Sequence, residues 1–354
     1  MSKQVCYDAM RFSRCGGVVA RDMIPHGVRS PVRTVYRTID SDITNGELVF
    51  LTTCGPATTF DPNITGVAGT WFFDDGTTLA AASGAEIRKT FAAEGLHRAV
   101  YRPVGGLAAI TAIAAHSDLI VSISGAQKTK AISIDIWNNP NIVISTYDLP
   151  QSTISLTTAE NCPIRGPLSA LPNLAASVNI RTSVYLSGSL YDLRNVTTLL
   201  ANGCAWLTGE LSDISRSATY IQLADDTGIS GSLADLPASL TTRCSLYGCT
   251  GIAAGSIAHL VAIRDIRIYS MGWLTADVDT VLLSIANAIV ADPNHFTYAT
   301  PALQIGGTNE APSGTYQEPT GPGGTPTSGL EAVWIMTHNT GHTWTVAATG
   351  GSYP

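Results

Sequence analysis

The sequence predicts a mainly β chain: a small β-sandwich, then a repeat solenoid of parallel strands, then an α/β cap. Three observations predict it. From about Ile132 to Ile268 one short unit recurs about six times, most clearly as Ile164-Arg-Gly-Pro-Leu-Ser-Ala-Leu-Pro172 and Ile229-Ser-Gly-Ser-Leu-Ala-Asp-Leu-Pro237. Its glycines, Gly166, Gly188, Gly209, Gly231 and Gly255, stand 22, 21, 22 and 24 residues apart. A fixed period near 22 marks a solenoid, whose units bury apolar surface only against their neighbours. The composition agrees: 45% of residues are apolar and 13% charged, about half the usual charged share of ~25%, which suits stacked strands and loops rather than a helical enzyme. Ahead of the repeats, two apolar runs flank Asp75-Gly76, the dipeptide of a tight hairpin.

Residues 1–44 read as a basic anchoring arm. Within residues 1–37, Lys3, Arg11, Arg14, Arg21, Arg29, Arg33 and Arg37 stand against Asp8 and Asp22, a surplus of five positive charges before an acidic remainder. Arg11, Arg14, Arg21, Arg29, Arg33 and Arg37 are the candidates to dock on an acidic neighbour. The chain as a whole carries -7, which argues against a nucleic-acid partner. The first residues hold no apolar run of a secretory leader, and no stretch of 18 apolar residues exists, so neither export nor a membrane span is expected. The seven cysteines form no CxxC pair, and reduced thiols are expected rather than disulfides or zinc.

Residues 45–118 read as the sandwich. The hairpin lies in Thr70-Trp-Phe-Phe-Asp-Asp-Gly-Thr-Thr78, and a loop ending at Gly95 leads into an alternating strand up to Arg102. Asp74 and Asp75 are expected to cap the turn rather than hold calcium. Residues 119–272 read as the solenoid. Short apolar-x-apolar segments precede each repeat glycine: Ile134-Asp-Ile136, Ile154-Ser-Leu156, Val178-Asn-Ile180, Ile221-Gln-Leu223, Cys244-Ser-Leu246 and Ile266-Arg-Ile268. Alternation turns the outer two residues inward and the middle one outward. The candidate partner-binding face is therefore Asp135, Trp137, Asn179, Arg181, Gln222, Arg243, Tyr247, Arg267 and Tyr269, with Thr153, Ser245 and Asp265 among the smaller residues beside them. Tyr, Trp and Arg are the usual anchors of interfaces.

Residues 273–354 read as the cap that a solenoid end requires. Thr275 to Ile289 forms an amphipathic helix with Val278, Val281, Leu282, Ile285 and Ile289 on one face and Thr275 as N-cap. Leu303-Gln-Ile305 continues the strand series, Leu330 to Met336 forms a short helix, and Thr343 to Ala348 a last strand.

The repeat resembles a leucine-rich repeat of the variety with a Leu-x-Gly-x-Leu-Pro signature, over about 140 residues. That resemblance implies a curved solenoid with its strand sheet on the concave face. It also implies an Asn or Cys three residues after the second strand Leu, bonded to the neighbouring turn. Here the position reads Ala159, Ser183, Gly203, Asp226, Cys249 and Met271, so an incomplete ladder and irregular turns are expected. The stretch around Trp71 resembles a PKD domain, an immunoglobulin-like sandwich, with Phe72 and Asp74 departing from that family's motif. The C-terminal segment is similar to caps of leucine-rich-repeat proteins of phages and some bacteria. The expected fold is thus mainly β, with a PKD-like sandwich, a leucine-rich-repeat solenoid and a C-terminal α/β cap.

No phosphate-binding loop, dinucleotide fingerprint, zinc-protease motif or nucleophile elbow is present, and His338 and His342 sit on a loop without a carboxylate or Cys beside them. Neither enzyme activity, cofactor nor metal is expected. The expected function is that of a structural protein of a tailed-bacteriophage virion, a capsid decoration or tail-associated adhesin in a multi-copy symmetric assembly. Its expected partners are other virion proteins and a host-surface glycan or protein. The alternative is a secreted or cell-surface bacterial adhesion module.

Overall fold

A computed structural model describes residues 46–116, 119–136, 139–158, 164–183, 185–226 and 228–353. The arginines of the basic arm and Trp137 lie outside the described residues.

The parallel strands of the repeat region are three residues long each. Ser133–Asp135, Ser155–Thr157, Ser177–Asn179, Thr198–Leu200, Tyr220–Gln222, Arg243–Ser245 and Asp265–Arg267 pair in parallel, each with its neighbours. The register stacks Ile134, Leu156, Val178, Leu199, Ile221, Cys244 and Ile266 into one buried column, with a half-buried residue on either side except at Ser245, which is itself buried. Ala302–Gln304 and Thr345–Ala348 extend the sheet, and among the described residues it reaches twelve strands.

The return segments do more than turn the chain. Ile144–Ser145, Ile164–Pro167, Tyr185–Ser189, Leu207–Glu210, Ile229–Ser232 and Ile252–Ala253 make a second sheet of six strands, carrying the repeat glycines from Gly166 to Gly231. A 3-10 turn follows most of them and buries Leu168, Leu190, Leu211 or Leu233. In four coils a carboxylate closes that turn. Asp148, Asp192, Asp213 and Asp235 accept the backbone N–H of Ser145, Ser189, Glu210 and Ser232 at 3.0–3.1 Å. The Ser-x-x-Asp spacing behind it is that of a capping box, which satisfies the end groups of a turn reciprocally. Gly209 shows why the period carries glycine: its φ is +119°, and a Cβ there would sit 2.7 Å from Ser189 Oγ.

The expected sequence of a self-contained sandwich followed by a solenoid is corrected. The chain is mainly β with large parallel sheets and few helices, and one buried core runs continuously from Leu48 to Val346. The N-terminal region does form a five-stranded antiparallel sheet of Leu48–Thr52, Gly69–Phe73, Thr78–Ala81, His97–Pro103 and Ile120–Ser124, with the hairpin at Asp75-Gly76. The facing layer is not a second sheet of its own. Asn63–Thr65 and Ala112–Ala114 join the twelve-stranded sheet, the latter running parallel to Ser133–Asp135. The physical reason is the apolar load of the antiparallel sheet. Phe50, Trp71, Phe73 and Tyr101 bury one face against Phe60, Phe91 and Ile113, and an apolar sheet face must be covered by another layer. That layer is continuous with the first coil. At the turn, Asp75 accepts from Lys89 Nζ and Thr77, while Asp74 contacts His97 and the Arg98 N–H.

At the other end, helix α1 (Thr275–Ala291) packs on helix α2 (Gly329–His338). Its N-cap is Leu274 rather than Thr275: Asp277 accepts the Leu274 N–H at 3.2 Å, and Thr275 donates instead to Glu310. Gly351–Tyr353 turns back antiparallel on Thr345–Ala348.

The ladder of the turns is fuller than the sequence implied. Asn139, buried, donates Nδ2 to the Ala115 carbonyl at 2.6 Å and stands at the ladder position of the first coil, three residues after Ile136. Cys204 donates to the Ile180 carbonyl at 3.2 Å from one residue beyond Gly203, and Cys249 to the Leu223 carbonyl. Asn309 is saturated: Oδ1 accepts from the Met271 and Trp273 N–H, and Nδ2 donates to the Ile268 and Ile305 carbonyls. Asp226 is the exception. It is buried, and among the described residues its two oxygens make no hydrogen bond of good geometry. Burial pushes its carboxyl up to about 7; the Cys204 N–H offsets part of that and Asp225 adds to it.

Candidate functional site

The face of the twelve-stranded sheet that points away from the core has two rows set by the register. One runs Ser133, Ser155, Ser177, Thr198, Tyr220, Arg243, Asp265; the other Asp135, Thr157, Asn179, Leu200, Gln222, Ser245, Arg267, Gln304. The first row therefore begins with small hydroxyl side chains and turns to large polar groups at Tyr220, while the second begins with Asp135, Thr157, Asn179 and Leu200. Parallel strands lie ~4.8 Å apart, so Asn179 is about 19 Å from Arg267.

The predicted face residues divide accordingly. Asp135 pairs with His116 at 3.2 Å near one end. Asn179 accepts from Arg181 Nε at 3.2 Å in the middle. Arg243 and Arg267 come together on Asp265: their Nε atoms lie 2.6 and 3.1 Å from its Oδ2. Burial opposes the Arg243 charge, but the Asp265 carboxylate outweighs it and holds the guanidinium above its ordinary range. Gln222 accepts from the Tyr220 hydroxyl at 3.3 Å, and that hydroxyl receives Arg243 Nη1 at 3.4 Å. Tyr247 and Tyr269 stack face to face at 4.9 Å with an interplanar angle of 2°. Two residues expected to be exposed here are buried, Thr153 and Ser245, the latter covered although it keeps its register position, whereas Ile154, expected inward, is 44% exposed. Thr153 and Ile154 precede the strand, where strict alternation has not yet begun.

Arg243, Asp265 and Arg267 line a cleft of about 510 Å3 together with Tyr220, Thr242, Arg264, Tyr298, Thr300, Ala302 and Gln304. Arg264 lies over the Tyr298 ring at 5.4 Å, and Arg243 over the Tyr220 ring at 5.8 Å. Three guanidiniums face one carboxylate, so the cleft carries two positive charges in excess on an acidic chain. No family model, curated protein or solved structure matches this chain. Sequence reasoning missed Tyr220, although it precedes Ile221 and alternation alone turns it outward. Gln304, the middle residue of Leu303-Gln-Ile305, was turned outward by the same alternation; Arg264 and Tyr298 carried no such signal, because the cleft closes only when the segment after α1 returns to the sheet.

Among the described residues no three His, Cys, Asp or Glu side chains gather into a metal site, and no helix is long and apolar enough to cross a membrane. His338 ends α2 with Nδ1 at 2.9 Å from the Trp334 carbonyl, and His342 Nδ1 lies 3.0 Å from the Tyr298 carbonyl. Cys54, Cys204, Cys244 and Cys249 are buried, and burial pushes the Cys204 and Cys249 thiols up to about 12.

Proposed function

We propose that this chain is a non-enzymatic recognition protein of a tailed-bacteriophage virion, present in many copies as a capsid decoration or tail-associated adhesin. The open face of the twelve-stranded sheet is its contact surface. One observation carries the reading: large Tyr and Arg side chains are concentrated on adjacent coils of a sheet face whose earlier strands carry mostly smaller residues. Interfaces draw most of their binding energy from a few such anchors, and extended solenoid faces are commonly used for binding. The surplus of arginine in residues 1–44 supports docking of the N-terminal arm on an acidic shell or tail, which turns the sheet face toward neighbours or host surface.

Electron microscopy of particles that carry the protein tests this. The expected result is density for repeated copies on capsid or tail, and loss of incorporation when residues 1–40 are deleted. Detection only as a chain free of particles overturns the virion assignment.

A further inference from the structure

We infer that the cleft bounded by Arg243, Arg264, Arg267 and Tyr298 binds a carboxylate-bearing saccharide, such as a uronic-acid residue of an acidic polysaccharide. The inference deepens the reading of the sheet face as a contact surface and rests on it.

The argument starts from how the guanidiniums are held. Arg267 spends its Nε on Asp265, so its outer Nη pair takes no part in that bond. Arg243 is fixed on both sides, by Asp265 and by the Tyr220 hydroxyl. Two forks with restricted orientation are pre-organised for bidentate binding of a planar carboxylate, which a single mobile lysine is not. Asp265 neutralises only one of the three arginines, and that leaves the cleft cationic while the chain is acidic. A carboxylated ligand is therefore drawn to this place rather than to the surface at large.

The remaining lining separates a sugar from other anions. Tyr220 and Tyr298 offer ring surface, with an apolar body and a polar tip. A pyranose matches this with its C–H face and hydroxyl edge. Thr242, Thr300 and Gln304 supply neutral donors and acceptors around the same space, a set suited to vicinal hydroxyls and more than a bare phosphate needs. About 510 Å3 falls within the ~300–1,000 Å3 of pockets that hold a small molecule.

Calorimetric titration of the full chain with a galacturonic acid hexamer, a neutral galactose hexamer and a hexaglutamate peptide tests the assignment. The acidic saccharide is expected to bind at least tenfold more tightly than either control and to weaken with salt. Arg267→Gln is expected to reduce affinity at least tenfold. Arg264→Gln, at an exposed side chain whose loss leaves the coil intact, should reduce it severalfold. Equal binding of hexaglutamate would assign the cleft to acidic peptide and overturn the proposal, as would equal binding of the neutral hexamer or affinity unchanged in both variants. If the hexamer fails to bind while the chain is found in repeated copies on particles, the ligand class falls and the display function stands. If the hexamer binds but the chain is on no particle, the reverse holds.

Discussion

Asp226→Asn should stabilise the protein, and more at pH 8 than at pH 5. Asp226 stands where Asn139 and Asn309 stand in the first and last turns, but it makes no hydrogen bond of good geometry among the described residues. Its ordinary pKa is 3.8 and burial raises it to about 7. Between those values the folded chain keeps a proton that the unfolded chain has released. The stability associated with the neutral acid is thus complete below about pH 4, declines as pH rises and is fully lost above about pH 7. At 1.36 kcal/mol for each tenfold change, the ionised group costs at most about 4 kcal/mol, and about 2 kcal/mol where water relieves half of it. Asparagine removes that cost and supplies the N–H donor used at the equivalent turns. With an unfolding entropy of ~2.1 cal/mol/K per residue, 2–4 kcal/mol corresponds to a Tm rise of roughly 3–6 °C at pH 8. Thermal melts of both proteins at pH 5 and pH 8 read this directly, and the gain at pH 5 should be clearly smaller. A gain equal at both pH values, or a loss at pH 8, would refute the assignment of a buried carboxylate in this turn.

Other positions give equally direct tests. Gly209→Ala places a Cβ against Ser189 Oγ at a positive φ and should cost about 2–4 kcal/mol in urea unfolding. Asn309→Ala strips partners from four buried backbone groups and should cost at least about 3 kcal/mol by the same measurement. Asp192→Ala opens one capping box and should cost about 0.5–2 kcal/mol, with hydrogen exchange accelerated in residues 189–193 ahead of the neighbouring coils. Alkylation of the native protein at pH 8, mapped by mass spectrometry, should spare Cys54, Cys204, Cys244 and Cys249 until the chain is unfolded, because all four are buried.

The repeat was legible because its glycines and leucines answer to local rules. A positive φ and a close approach leave only glycine at Gly209, and the leucine two residues on fills the coil. The inward column from Ile134 to Ile266 follows from alternation alone. The N-terminal boundary was not legible: the strand Ala112–Ala114 carries only alanine and isoleucine, and its membership of the twelve-stranded sheet depends on pairing with Ser133–Asp135. The motif around Trp71 reports a hairpin and says nothing of what covers its apolar face. Asn139 was readable by the same count that was applied to later coils. Asn309 was not, because Gly306 and Gly307 shift the turn and move the ladder residue one place along. Half the cleft was visible as strand residues; Arg264 and Tyr298 meet across an intervening helix, a juxtaposition that no periodicity encodes.

The two ends of the twelve-stranded sheet share a feature with consequences for assembly. The strand at each edge, Asn63–Thr65 at one and Gly351–Tyr353 at the other, is three residues long and runs antiparallel to its neighbour. Every coil between them adds in parallel, a pattern that one more copy of the chain would otherwise extend indefinitely. Edges this short work as a chain terminator does in a polymerisation: an incoming strand finds only three residues to pair with. Copies of this protein are therefore not expected to grow strand by strand upon one another.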